Sequence, residues 1–115
     1  MTENEISNII IGCAIEVHKE LGGPGLLEKV YEEALVYELV SKGLSVKRQV
    51  QVPIHYKGNK LAAPLVIDLL VNDKVIIEVK AARENNPIFG AQTRTYLRLT
   101  NLKLGLVINL SLIHI

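Results

Sequence analysis

The sequence predicts an α/β (α+β) domain whose elements run in the order α-α-β-β-β-α-β. Three observations predict it. Through roughly residues 4–42 the apolar side chains recur at spacings of three and four, the helical period. From about 46 to 81 the period falls to two, as on a strand, whose side chains alternate between faces. Helical spacing then returns over about 87–100, before a last apolar run.

Each element has its own local reason. Thr2-x-x-Glu5 reads as a capping box, and Ile6, Ile9, Ile10, Cys13, Ala14, Val17 and Leu21 form one face of a helix over roughly 4–21. "GGPG" (22–25) ends it, because glycine permits a left-handed cap and Pro24 cannot continue a helix. A second helix is expected over about 26–42, with Leu27, Val30, Tyr31, Ala34 and Leu35 inward and Gly43 closing it. Next, "SVKRQVQVPIHYKG" places Val46, Arg48, Val50, Val52, Ile54 and Tyr56 on one face of a strand and Lys47, Gln49, Gln51 and His55 on the other. Pro53 marks an edge or a bulge, and "KGNK" (57–60) a turn. Strands follow over about 64–71 and 75–81, joined by "NDK". "NNP" (85–87) then prefaces a third helix over about 87–100, where Phe89, Gln92, Tyr96 and Leu99 share a face. "LKLGLVIN" (102–109) is the last strand.

A chain of 115 residues, 49% hydrophobic, supports one domain with a proper core. The formal net charge of +1 neither demands nor forbids a nucleic-acid partner, so any attraction to phosphate must come from local clusters. The single cysteine, Cys13, lies on an apolar helix face and reads as a small buried hydrophobe. The N-terminus lacks the basic start of a signal peptide, and no apolar run approaches the roughly 18 residues of a membrane span. A soluble, cytoplasmic protein with no membrane partner is expected. The last six residues, "LSLIHI", are what CTG TCT CTT ATA CAC ATC would encode, which resembles the transposase-adapter sequence used in preparing sequencing libraries. We therefore expect residues 1–109 to be the domain and 110–115 a non-native tail with the natural C-terminus missing. Other codons at those positions in the coding DNA would refute this.

The chemistry-bearing stretch is "APLVIDLLVNDKVIIEVKAA" (63–82), two greasy strands interrupted by Asp68, Glu78 and Lys80. Burying an unpaired carboxylate costs several kcal/mol, so these residues need an explanation. One face of the hairpin carries Ile67, Leu69, Val71, Val75, Ile77 and Val79, all aliphatic; the other carries Val66, Asp68, Leu70, Ile76, Glu78 and Lys80. A three-residue turn, Asn72-Asp73-Lys74, sets Asp68 opposite Glu78, whereas a two-residue turn would send Glu78 to the far side. The three-residue turn, or an equivalent bulge, is the expectation. Carboxylates about 5 Å apart at Cβ repel each other. A hard divalent cation gives a reason to keep them, with a backbone carbonyl such as that of Val79 as a further ligand. Lys80 points the same way as Glu78 and would polarise a water or hold a phosphate oxygen. The bland alternative is a surface strand with solvated charges, because D-x₉-E-x-K is short and permissive.

At this point the chain resembles a known family. "GLLEKVY", Gly25 to Tyr31, matches the G-x-x-E-x-x-Y signature of the GxxExxY proteins. The Asp68…Glu78-Val79-Lys80 hairpin looks like the catalytic core of the PD-(D/E)XK nuclease superfamily, to which that family is assigned. Gln92-Thr-Arg-Thr-Tyr96 resembles the Q-x-x-x-Y element on the helix after the lysine. The resemblance runs from about Ile6 to Asn109. It departs at Val66, where a polar residue is frequent, and at Ile67, since no proline precedes Asp68. Glu16 and His18 also resemble the family's first helix, though His18 reads as a surface or packing residue.

The resemblance implies a restriction-endonuclease-like core, a mixed central sheet flanked by helices. It implies that Asp68, Glu78 and Glu28 hold Mg²⁺ (or Mn²⁺) and that Lys80 is the catalytic base or electrostatic stabiliser. Gly25, Tyr31, Gln92 and Tyr96 would be supporting or substrate-binding residues. Read without it, Glu28 is a first-turn acid favoured by the helix dipole, Tyr31 packs the core, and Gln92 and Tyr96 belong to an ordinary amphipathic helix. The expected function is metal-dependent hydrolysis of phosphodiester bonds in nucleic acid, DNA before RNA, with a homodimer compatible. Lys47, Arg48, Lys57, Lys60, Arg83, Arg94, Arg98 and Lys103 would meet the phosphates. An aromatic content of 4% and the absence of tryptophan argue for poor sequence selectivity. The alternative is a catalytically inactive nucleic-acid- or protein-binding module on the same fold; a purely structural oligomerisation domain would leave the acid pair unexplained.

Overall fold

The computed structural model describes residues 1–22, 28–81 and 86–109. Among these residues the order is α1 (Glu3–Leu21), α2 (Glu28–Ser41), β1 (Val46–Val52), β2 (His55–Tyr56), β3 (Asn59–Lys60), β4 (Leu65–Val71), β5 (Val75–Lys80), α3 (Pro87–Thr100) and β6 (Leu104–Asn109). The expectations for Gly25, Leu27, Arg83 and the 110–115 tail lie outside the described residues. α1 begins at the capping box the sequence advertises: Thr2 Oγ1 accepts the Glu5 N–H, and the Glu5 carboxylate accepts the Thr2 N–H. α3 begins with Asn86 as N-cap and Pro87 at its first position, where the missing N–H is no loss.

The main sheet runs β1-β4-β5-β6. β1–β4 and β4–β5 are antiparallel and β5–β6 parallel, so the sheet is mixed, with α3 forming the crossover. One element differs from the sequence reading. The strand expected to run on to Tyr56 stops at Val52, before Pro53, which has no N–H to offer a ladder. The chain instead makes a separate hairpin, β2 with β3, turning through Lys57 and Gly58 at φ 50° and 79°.

The helices divide between the faces of the sheet. Ile6, Ile10 and Val17 of α1 and Tyr31, Leu35 and Leu39 of α2 bury against Leu69, Val71, Val75, Ile77 and Val79. Removing such side chains from water is worth about 1.5–3 kcal/mol each, and this layer is the main core. α2 is rotated so that the 31/35/39 stripe faces in, which leaves Val30, expected inward, 44% exposed. α3 covers the other face. There Gly105 of β6 allows close approach, because a methyl at that position would run into Thr93 Cγ2 and would also meet Leu97 and Ile76.

Candidate active site

The site begins with a turn. Asn72 and Asp73 both take left-handed backbone, φ 52° and 55°, and the Lys74 N–H donates to the Val71 carbonyl at 2.9 Å. The ladder then reads Val71↔Val75, Leu70↔Ile76 and Leu69↔Ile77, the three-residue turn expected from the sequence. Asn72 is also clamped to the start of β1. Its N–H donates to the Ser45 carbonyl at 2.8 Å, and its Oδ1 accepts the Ser45 N–H at 2.8 Å. Carried one pair further, this register sets Asp68 against Glu78.

At that pair, side chains take over from the backbone ladder. The Val79 N–H donates to Asp68 Oδ2 at 2.8 Å, and the Asp68 N–H donates to Glu78 Oε1 at 3.3 Å. Each carboxylate is thus held through one oxygen by the opposite strand. Glu78 is 3% exposed, and its carboxyl is pushed up to about 8. Burial is the main cause and the Asp68 charge the next; the backbone hydrogen bond and the Lys80 charge pull the other way. A buried carboxyl set beside a second acid makes a site that a cation would relieve. Mg²⁺ takes only one or two carboxylates and completes its shell with water and phosphate oxygens, so this pair fits such an ion.

α3 closes the site from above. Lys80, two residues beyond Glu78 on the same side of β5, holds its Nζ 5.5 Å from the centre of the Phe89 ring. Among the described residues it forms no ion pair, although its charge reaches Glu78. Tyr96, two turns along α3 from Phe89, has its phenol pushed up by burial and then by the charges of Glu78 and Asp68. Its ring therefore lies within electrostatic reach of the pair. Gln92 sits between them on α3 and is exposed.

A family model described as the PD-(D/E)XK nuclease superfamily matches residues 4–114. The chain belongs to the PD-(D/E)XK nuclease superfamily. Its restriction-endonuclease-like fold follows from that match and from the mixed sheet with helices on both faces. Membership points to nuclease-type phosphodiester chemistry on a nucleic-acid substrate, and nucleases of this superfamily typically use divalent metals. No curated protein and no solved structure matches the chain. No helix among the described residues is long and apolar enough to cross a membrane.

Glu28, which the resemblance places at the metal site, is exposed in the first turn of α2, and among the described residues no three His, Cys, Asp or Glu side chains gather closely enough to hold an ion. α2 packs on the aliphatic face of the sheet, while Asp68 and Glu78 lie on the α3 side. Tyr31 has no exposed surface, and its hydroxyl donates to the Ala14 carbonyl at 3.2 Å, tying α2 to α1. It packs the core of this superfamily member and has no surface to offer a substrate.

Other residues near the site were not singled out from the sequence. Phe89 was placed on a helix face, without the contact to Lys80. Glu32, on α2, is buried and accepts hydrogen bonds from Gln49 Nε2 and Arg48 Nε. Gln49, expected on the face opposite Arg48, sends its side chain to the same carboxylate as Arg48 because its φ is 48°. The only sequence signal was the E-E pair after Tyr31, which reads equally well as a solvated helix face.

Proposed function

We propose that the protein is a metal-dependent nuclease of the GxxExxY type that hydrolyses phosphodiester bonds of DNA. The supporting observation is the Asp68–Glu78 pair, where burial and then the Asp68 charge raise Glu78 to about 8, with Lys80 alongside and unpaired among the described residues. Asp68 and Glu78 hold Mg²⁺ (or Mn²⁺), and Val79, whose N–H already meets Asp68, is the candidate backbone ligand. A bound divalent ion supplies charge neutralisation at the phosphate and eases deprotonation of water. Lys80 presents a cation to the charge that develops on the phosphoryl oxygens and orients the attacking water. Phe89 keeps that ammonium from collapsing onto Glu78, and Tyr96 walls the pair from the α3 side. Arg94 and Arg98, both exposed on α3, offer sequence-independent contacts to phosphates.

The test combines calorimetric Mn²⁺ titration with cleavage of linear and supercoiled DNA in Mg²⁺. Wild type is expected to bind and to cut. Asp68→Asn should lose both properties, while Lys80→Met should keep metal binding and lose about 100-fold or more in rate. A wild-type protein that neither binds Mn²⁺ nor cleaves any nucleic acid would refute the proposal and leave the inactive binding module.

A further inference from the structure

We infer that Gln49 is a positioning residue for the acid pair: it holds the β1–β4 ladder open opposite Asp68, so that the Asp68 amide is left for Glu78. The inference rests on the reading of Asp68 and Glu78 as the reactive pair. β1 and β4 pair at Arg48↔Leu69 and again at Val50↔Ile67, skipping only Gln49 with Asp68. The offset is the same on both sides of the gap, so no residue is inserted and the interruption is not a bulge. Its cause is conformational. Gln49 sits at φ 48°, in the left-handed region that glutamine seldom visits.

The direction of the Asp68 amide follows from the ladder. In antiparallel pairing every second residue of a strand aims its N–H at the same neighbour. The Asn72 N–H meets the Ser45 carbonyl at 2.8 Å, just outside β1, so in an unbroken ladder Leu70 and then Asp68 would aim theirs toward β1 as well. With an extended residue 49, the natural acceptor would be its carbonyl. With Gln49 left-handed the Gln49↔Asp68 pair is missing from the ladder, and the Asp68 N–H goes to Glu78 Oε1 at 3.3 Å.

The anchor of this conformation lies on the other side of the sheet. Gln49 Nε2 donates to Glu32 Oε1 at 3.1 Å and Oε2 at 3.3 Å, and Arg48 Nε donates to Oε1 at 3.4 Å. Glu32 is 5% exposed, and a carboxylate so buried demands donors. Gln49 meets that demand only by leaving the strand alternation. Strain at one residue and the need of another thus satisfy each other, and the gap they create falls on the first acid of the site.

The test reads the Asp68 amide by ¹H–¹⁵N NMR in the metal-free protein. Gln49→Val replaces an exposed residue with a strand former that disfavours positive φ; Glu32 keeps the Arg48 donor, and the dispersion of the other amide resonances reports that the fold is intact. In this variant the ladder should close, the Asp68 amide resonance should move, and its hydrogen exchange should slow by about tenfold or more. Glu32→Ala should move the same resonance by removing the anchor, while Glu32→Gln, which keeps an acceptor for Gln49, should leave it near wild type. Mn²⁺ affinity should weaken about tenfold in Gln49→Val, as for other residues that orient ligands. An Asp68 amide unchanged in Gln49→Val overturns the inference. Absence of Mn²⁺ binding by wild type would count against the nuclease reading instead, and the metal-free NMR comparison would still decide the role of Gln49.

Discussion

On the face that α1 and α2 cover, β4 and β5 present Leu69, Val71, Val75, Ile77 and Val79, all aliphatic and buried. Beneath α3 the same two strands present Asp68, Glu78 and Lys80, with Glu78 almost as buried as the aliphatic residues. Backbone, register and turn are shared, so the difference lies only in which side each residue faces. The aliphatic face gains stability from every contact. The charged face loses some, since burial and then the neighbouring Asp68 charge raise the proton affinity of Glu78. A rigid apolar platform on one side lets strained chemistry be held on the other.

The sharpest way to break the platform is a cavity in it. Leu69 has no exposed surface and lies next in sequence to Asp68. Leu69→Ala should cost about 3 kcal/mol in urea denaturation, from lost burial and an incompletely collapsed void. A loss under about 1 kcal/mol would mean that the aliphatic face is not the main source of stability.

The charged face should answer to pH, and in the direction opposite to an ordinary salt-bridged acid. The Glu78 carboxyl is raised to about 8 from its ordinary value of 4.5, so between those values the folded state binds more protons than the unfolded. Stability is then highest below about 4.5 as far as this group is concerned, and falls as pH rises through about 8. Without metal the loss should be on the order of 2 kcal/mol, less than the full shift would give because local relaxation around the ionised carboxylate relieves part of the burial cost. Glu78→Gln should flatten the profile between pH 5 and 8, leaving a variant more stable than wild type at pH 8. If wild type and Glu78→Gln had parallel profiles, the raised proton affinity of Glu78 would be disproved.

Much of this contrast was legible in the sequence. The alternation of aliphatic and charged residues through 66–80 assigns the faces, and the count of residues in Asn72-Asp73-Lys74 sets the register, because a turn one residue shorter would have moved Glu78 across the sheet. Helix spacing located α1 and α3 closely. What could not be read was which face of the sheet each helix covers, since periodicity marks a helix's inward stripe but not its partner. The resemblance alone put Glu28 and Tyr31 at the site; read from their own positions they were a first-turn acid and a core residue. Gln49 was illegible for a different reason. No glycine or asparagine marks its left-handed backbone, which follows from a hydrogen bond to a residue 17 positions earlier.

The smallest expected effect concerns the contact between α3 and the charged strand. Lys80 Nζ stands 5.5 Å from the Phe89 ring centre, a separation at which an ammonium is drawn to the π face by about 0.5–1 kcal/mol. Phe89→Leu keeps an apolar side chain of similar length and removes the quadrupole. Stability should fall by only about 0.5 kcal/mol, but the Lys80 side-chain proton resonances should lose their ring-current shift. Phe89→Tyr should retain both. With the ring gone, the ammonium is free to swing onto Glu78 as an ion pair, and a pre-formed pair weakens any role for Lys80 at a phosphate. Phe89→Leu should therefore reduce DNA cleavage more than it reduces stability, with Mn²⁺ affinity little changed. Equal losses in both would make Phe89 a packing residue of α3, and the two faces of the sheet would then differ in charge alone, without a device that keeps the lysine apart from the acids.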